Sequence, residues 1–307
     1  MTGTRLTRTY LAVPAHRARF VQNAAASAAD AVFMDLEDAV PPAEKAAALE
    51  AAAIALGTHD WGRKTVAVRL NGIDSPSIQK EIALLGGIAR LNTFIIPKAE
   101  TVADVTTISR WIAAAAGTRQ TPVEIDLLIE TARGLVNVEA LAGCDPRIGA
   151  LHLGVGDFAA SIGARSTEIG ASPSGYRHVG SAADGHTETP LDLFAYPMMR
   201  LLVAARAFSL RAIDGPCGAF QDSIVTAATA AKAAAMGYDG KQVIHPGQIE
   251  ATRKAFVPSD AELDHARRAI AALEEAERNG QGAVTVDGKM VDYANLRMIR
   301  RLLSFEE

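Results

Sequence analysis

Cysteine is scarce. Cys144 and Cys217 are the only two in 307 residues, and they lie far apart along the chain. They form no metal-type pair, so reduced thiols in a cytoplasmic protein are the expectation. No apolar run approaches the roughly 20 residues that a membrane-spanning helix needs. The opening MTGTRLTRTYLAV also lacks the long apolar stretch and cleavage site of a secretion signal. No block of one charge sign occurs either. Lys and Arg total 31 against 35 Asp and Glu, for a net charge of −4, which argues against a nucleic-acid partner. What remains is a chain with 49% hydrophobic and 21% charged residues, long enough for one large core or two ordinary domains.

Eight short apolar segments recur along it: RTYLAVP (8–14), AVFMDLE (31–37), TVAVRLN (65–71), TFIIPK (93–98), IDLLIE (125–130), GALHLGVGD (149–157), LRAIDGP (210–216) and KQVIHP (241–246). Most are continuous rather than alternating, which suits parallel strands buried on both faces. The segments between them have helix composition. PPAEKAAALEAAAIALG (41–57) carries proline at its start and glycine at its end, and SIVTAATAAKAAAMG (223–237) is similar. Strand and helix alternating eight times predict a closed (β/α)8 TIM barrel rather than an open doubly wound sheet. The boundaries expected are a barrel over 1–257 and an appendage over 258–307. The appendage holds an amphipathic helix at 259–280, a Val-Asp-Gly-Lys turn and a short final helix, and it packs on its own barrel or on a neighbouring subunit.

The strand ends carry charge: Asp35 and Glu37, Arg69 and Asn71, Lys98, Glu130, Asp157, Asp214 and His245. In a parallel barrel such ends share one face and ring one cavity, where barrel enzymes keep their chemistry. Glu130 and Asp157 end consecutive strands, which lie about 4.8 Å apart in a sheet. Two crowded carboxylates repel unless neutralised. A magnesium ion does this, since it takes one or two carboxylates and leaves its other positions to water and substrate. The alternative is that both are hydrogen-bonded to loop amides or to Arg133. Arg69 either braces a substrate carboxylate or oxyanion, or forms a salt bridge to Asp35, Glu37 or Asp38. These three acids read as outer acceptors that hold metal-bound waters or orient Arg69. Lys45 reads as a helix-surface charge beside Glu44.

Gly154, Gly156 and Ala159 also spell G-x-G-x-x-A, a dinucleotide-binding pattern. That fingerprint requires an acidic residue ending the next strand about 20 positions on. Here the chain runs instead into a segment rich in Gly, Ser, Thr and His, so the reading is set aside. This segment, 166–192, reads as a long structureless loop over the catalytic face, a lid in character. Its His178 and His186 match no standard metal spacing and read as solvated.

Taken together, VFMDLEDAVPPAEK (32–45), VRLN (68–71), IPKAE (96–100), LIETARGL (128–135), GVGDFAASIGA (154–164), IDGP (213–216), YDGKQVIHP (238–246) and DGKMVD (287–292) resemble the citrate lyase β-subunit-like proteins. Relatives of these include the malyl-CoA and citramalyl-CoA lyases of the HpcH/HpaI aldolase superfamily. The resemblance implies a TIM barrel, Mg2+ and retro-Claisen cleavage of a 3-hydroxy dicarboxylic acyl-CoA. The products would be acetyl-CoA and a small keto acid. It implies that Glu130 and Asp157 ligate magnesium and that Arg69 binds the keto-acid end and stabilises the enolate oxygen. Asp292 becomes the acid/base, supplied in this family by a neighbouring subunit, and Arg17 contacts coenzyme A. A tail shared in this way implies a homo-oligomer, a trimer or hexamer. The chain departs from the family at Asn23, where lysine is frequent, and at Tyr293-Ala294, where proline is frequent. Pyruvate aldolases of the superfamily tend to carry Glu-His where this chain has Glu37-Asp38, which favours the acyl-CoA branch. A thioesterase using the same site, and a citrate lyase β-subunit acting on an acyl-carrier-bound citryl group, remain the alternatives.

Overall fold

The structure is a computed structural model that describes residues 6–182 and 185–303. Among the described residues, twelve strands occur in chain order: β1 (Thr9–Pro14), β2 (Ala31–Asp35), β3 (Thr65–Arg69), β4 (Thr93–Ile96), β5 (Glu124–Ile129), β6 (Ile148–Leu153), β7 (Arg177–Ala182), β8 (Gly185–Pro190), β9 (Arg211–Asp214), β10 (Gly240–Val243), β11 (Ala283–Val286) and β12 (Lys289–Asp292). Eight of them close into a parallel barrel in the order β1-β10-β9-β6-β5-β4-β3-β2. Each of the eight apolar segments supplies one barrel strand, so the chain is a (β/α)8 TIM barrel. The continuous runs have the expected cause: every residue of AVFMD in β2 and of TFII in β4 is buried.

The helices begin and end where local chemistry favours it. Asp222 accepts from the amides of Ile224 and Val225 to cap the helix Ser223–Met236, and Gly237 closes it with φ +106°. The stretch from 41 starts as a 3-10 turn at Pro42–Glu44 and continues as the helix Lys45–Thr58.

Inside the barrel, large and small side chains alternate. Tyr10, Phe33, Ile95, Leu128 and Ile213 fill the interior beside Ala31, Ala67 and Ala150. Below the site lies a buried polar network. His152 Nε2 lies 3.1 Å from Asp126 Oδ2, and the Gln242 amide donates to His152 Nδ1 at 3.0 Å. Tyr10 donates to the same Asp126 oxygen at 3.3 Å. With its Nδ1 accepting, the imidazole carries its proton on Nε2 and donates it to Asp126.

The segment 166–192 differs from its expected form. It contains an antiparallel hairpin, β7 paired with β8 from Arg177↔Pro190 to Ala182↔Gly185. Both faces of β8 are exposed, so its residues show no apolar alternation, and polarity hides the strands from a hydrophobic pattern. His178 and His186 sit on this exposed hairpin.

The chain divides into two compact units, Met1–Thr252 and Arg253–Glu307. This places the division five residues before the boundary expected from sequence. The second unit contains the helix Asp260–Arg278, which opens with a Ser259/Glu262 capping box. The hairpin β11–β12 follows, turning through Asp287 and Gly288 at φ +51° and +76°, the signs that a tight Asp-Gly hairpin turn demands. The helix Tyr293–Leu303 ends it. Its core is Ala266, Ala269, Leu273, Val291 and Ile299.

Candidate active site

The C-terminal ends of β2, β3, β4, β5 and β6 deliver one connected set of charges. Asp35 and Arg69 are register partners on adjacent strands. Arg69 Nε and Nη2 donate to the two Asp35 oxygens at 2.7 and 2.6 Å, a bidentate fork. Asp35 also accepts from the amides of Glu37 and Ala39. Burial pushes the Asp35 carboxyl up, but the Arg69 fork and these amides outweigh it and hold it below its ordinary range. The guanidinium lies over Phe33, 5.8 Å from the ring centroid. Its Nη1 lies 3.4 Å from Glu37 Oε2.

Glu130 follows β5 and is 3% exposed. Its Oε1 accepts the backbone amide of Lys98 at 2.8 Å, one of the loop-amide contacts the sequence left open. Arg133 turns elsewhere, to Glu100 at 3.7 Å. Burial pushes the Glu130 carboxyl up to about 8, with the charges of Glu37 and Asp157 adding to the effect and Arg69 opposing it. Asp157 lies in the first turn of the short helix Val155–Ser161 after β6, half-buried. Lys98 joins the acids: its ammonium donates to Glu37 and lies 3.3 Å from Asp38 and 3.5 Å from Asp157. Glu37 is also pushed up, by burial first. Its Oε2 is buried without a hydrogen-bond partner.

Five carboxylates, Asp35, Glu37, Asp38, Glu130 and Asp157, thus face two cations, Arg69 and Lys98. Glu37 Oε2 has no hydrogen-bond partner beyond its ion-pair contact with Arg69, and Glu130 is buried beside other acids; an oxygen donor set of this kind fits a hard dication. Among the described residues, no group of three or more His, Cys, Asp or Glu side chains is arranged to hold a metal.

Other strand-end residues take structural work. Asp214 and the buried Lys241 form an ion pair at 2.6 Å. Asn71 bonds Glu81 at 2.6 Å. His245 is exposed, accepts from the Gly247 amide and packs on Phe220. Asp214, Asn71 and His245 thus have partners of their own apart from the five-acid cluster. Lys45 is not a free helix-surface charge. Its ammonium donates to the carbonyls of Leu36 and Glu37 at 2.8 and 2.6 Å and to Asn71 at 2.7 Å, pinning the turn after β2. Arg17 is exposed at the N-terminus of the helix Ala18–Ala26, after β1. Asn23 is exposed on that helix. Asp292 belongs to the C-terminal unit, where its Oδ1 accepts from the amides of Ala294 and Asn295. Within the cluster, the residue that strand-end reasoning left without a role is Lys98. Its signal was there: a cation closing a strand beside an excess of acids.

The chain matches the model of the family described as HpcH/HpaI aldolase/citrate lyase over residues 8–246. It is 36% identical over 288 residues to an L-malyl-CoA/beta-methylmalyl-CoA lyase of Cereibacter sphaeroides, covering 92% of this chain and 89% of that one. A (3S)-malyl-CoA thioesterase of the same species is 34% identical over 300 residues, covering 98% and 94%. Among solved structures, the protein CitE from Mycobacterium tuberculosis in complex with magnesium, acetoacetate and coenzyme A superposes with a TM-score of 0.75 at 31% identity, covering 98% of this chain and 99% of that one. With a family match across the whole barrel and relatives of this identity over nearly the full length, the chain belongs to the HpcH/HpaI aldolase/citrate lyase family.

Proposed function

We propose that the chain is a magnesium-dependent carbon–carbon lyase acting on a 3-hydroxy dicarboxylic acyl-CoA of the citramalyl-CoA or malyl-CoA type. The products are acetyl-CoA and a 2-keto acid. The observation that carries this reading is the charged cluster in which Glu37 and Asp157 meet the Lys98 ammonium, Glu130 accepts the Lys98 amide, and Arg69 is fixed by Asp35 beside Glu37. The lyase names of the relatives and the magnesium, acetoacetate and coenzyme A in the CitE complex support it.

Glu130 and Asp157 would hold the cation. When bound, magnesium polarises the substrate's hydroxyl and adjacent carboxylate, lowering the cost of forming the new carbonyl. Asp35 occupies Nε and Nη2 and so holds Arg69 in one orientation, which would leave Nη1 to meet the developing enolate oxygen without reorganising the pair. Asp292 would pass a proton to the enolate carbon, and would remove one from acetyl-CoA in the reverse direction. Arg17 would take the coenzyme A end. The C-terminal unit would contribute Asp292 to a neighbouring subunit's site, within a homotrimer or a multiple of it.

A second reading, an acyl-CoA thioesterase, is favoured by the malyl-CoA thioesterase relative. It would use water as nucleophile at the same site and release free CoA with no keto acid. An assay of the pure chain with magnesium against malyl-, methylmalyl- and citramalyl-CoA, with a carbonyl trap, separates the two. A 2-oxo acid formed in step with the shorter acyl-CoA (acetyl-CoA, or propionyl-CoA from methylmalyl-CoA) supports the lyase, whereas CoA release with no trapped carbonyl supports the thioesterase. Activity of the lone chain on a CoA thioester also removes any need for an acyl-carrier partner.

A further inference from the structure

Lys98 stands out on geometry alone. Its φ is +47°, a left-handed conformation that a lysine adopts at a cost of about 1 kcal/mol or more. The strained residue follows Pro97 directly after β4. Two contacts come from this one turn of backbone. The amide of Lys98 is aimed at Glu130 Oε1, 2.8 Å away. The side chain is sent across the cluster to Glu37, Asp38 and Asp157. It reaches them from the mouth, being 41% exposed, while the Glu37 side chain it meets is 7% exposed.

We propose that Lys98 is the resident counter-ion of the acid cluster and a positioning residue for its cation site. A dication binding between Glu130 and Asp157 must displace the ammonium from Asp157 or tolerate it a few ångströms away. Lys98 therefore holds divalent affinity down. It also offsets the mutual repulsion of Glu37, Asp38 and Asp157, so the acids stay in place before the cation arrives. Like charges that close, in a partly desolvated cleft, interact far more strongly than in bulk water. The backbone amide meanwhile keeps Glu130 aimed, a task separable from the charge. This inference rests on the reading of Glu130 and Asp157 as the cation ligands.

The separation gives the test. Asparagine tolerates the left-handed conformation, so Lys98→Asn removes the ammonium while keeping the amide in place. Lys98→Met removes it with a side chain of similar length, and Lys98→Arg keeps the charge. Magnesium is titrated calorimetrically into each substrate-free protein, and melting is followed in chelator and in excess magnesium. The expected result is about tenfold tighter magnesium binding in the Asn and Met variants. Their melting temperature in chelator falls below wild type, and magnesium restores it. The Arg variant stays within about twofold of wild type. A merely structural lysine would give weaker binding when removed, so unchanged or weaker affinity in both neutral variants overturns the inference. Wild-type protein that binds no magnesium would instead overturn the cation-site reading beneath it.

Discussion

A Cβ placed on Gly154 would stand 2.4 Å from the Cβ of Glu130 and 2.5 Å from its Oε2. The glycine before the helix Val155–Ser161 is thus required by the carboxylate on the neighbouring strand, not by a dinucleotide. Gly154→Ala should push Glu130 out of its pose. Overpacking of this kind costs about 1–3 kcal/mol. The expected outcome is a folded protein with a lowered melting temperature and a disproportionate loss of magnesium affinity, read by calorimetry. A variant that melts lower yet binds magnesium as wild type does would contradict the role.

Arg69 should matter for its fork rather than its charge alone. Arg69→Lys keeps a cation but gives up the bidentate grip on Asp35. Loss of one preorganised donor at a developing oxyanion typically costs about 10²–10³ in kcat. Arg69→Lys should fall in that range with substrate KM changed far less, measured by steady-state kinetics on the preferred thioester. Asp35→Asn should follow it downward, because an amide cannot accept both donors.

Asp292 should be separable from folding. It caps the last helix through its Oδ1, a role that asparagine can also perform. Asp292→Asn should keep the wild-type melt and lose about 10²–10⁴-fold in turnover. Solvent deuterium exchange into the methyl group of acetyl-CoA, followed by mass spectrometry, should stop in this variant. Mixing it with Arg69→Lys should recover part of the activity if neighbouring subunits exchange tails.

The barrel core carries its own pH signature. Burial pushes the Asp126 carboxyl up, but the His152 hydrogen bond and the charge of Arg211 outweigh burial and hold it below its ordinary range. A carboxylate depressed in the folded state stabilises the protein above its unfolded value of about 3.9 and loses that contribution as pH falls through the folded value. Acid unfolding should therefore steepen below pH 4. Asp126→Asn should flatten that limb and cost about 3 kcal/mol at neutral pH, by urea denaturation, because His152 and Arg211 lose a buried partner.

Much of the barrel was legible because each of its strands is a short apolar run with small or charged punctuation. AVFMD and TVAVR leave little choice of structure once helices alternate with them. The charges of the cluster were legible too, since Asp35 and Arg69 close such runs, Glu130 directly follows one, and Asp157 lies four residues past another, in the first turn of the next helix. Three features were not. The hairpin Arg177–Pro190 is exposed, so no hydrophobic period marks it. Asp214 and Lys241 find each other across β9 and β10, a register no one-dimensional pattern reveals. Lys98 was visible as a cation at a strand end, but the left-handed backbone angle that aims it into the acids was not, because lysine gives no sequence signal for that conformation.

The central claim is that Glu130 and Asp157 together hold one divalent cation. The most direct measurement is calorimetric titration of magnesium into wild-type protein, Glu130→Gln and Asp157→Asn, each shown folded by its melt. The account predicts one site per chain in the wild type and at least about a hundredfold weaker binding in each variant, since each loses a charged oxygen ligand. Magnesium binding that survives both substitutions unchanged would contradict it.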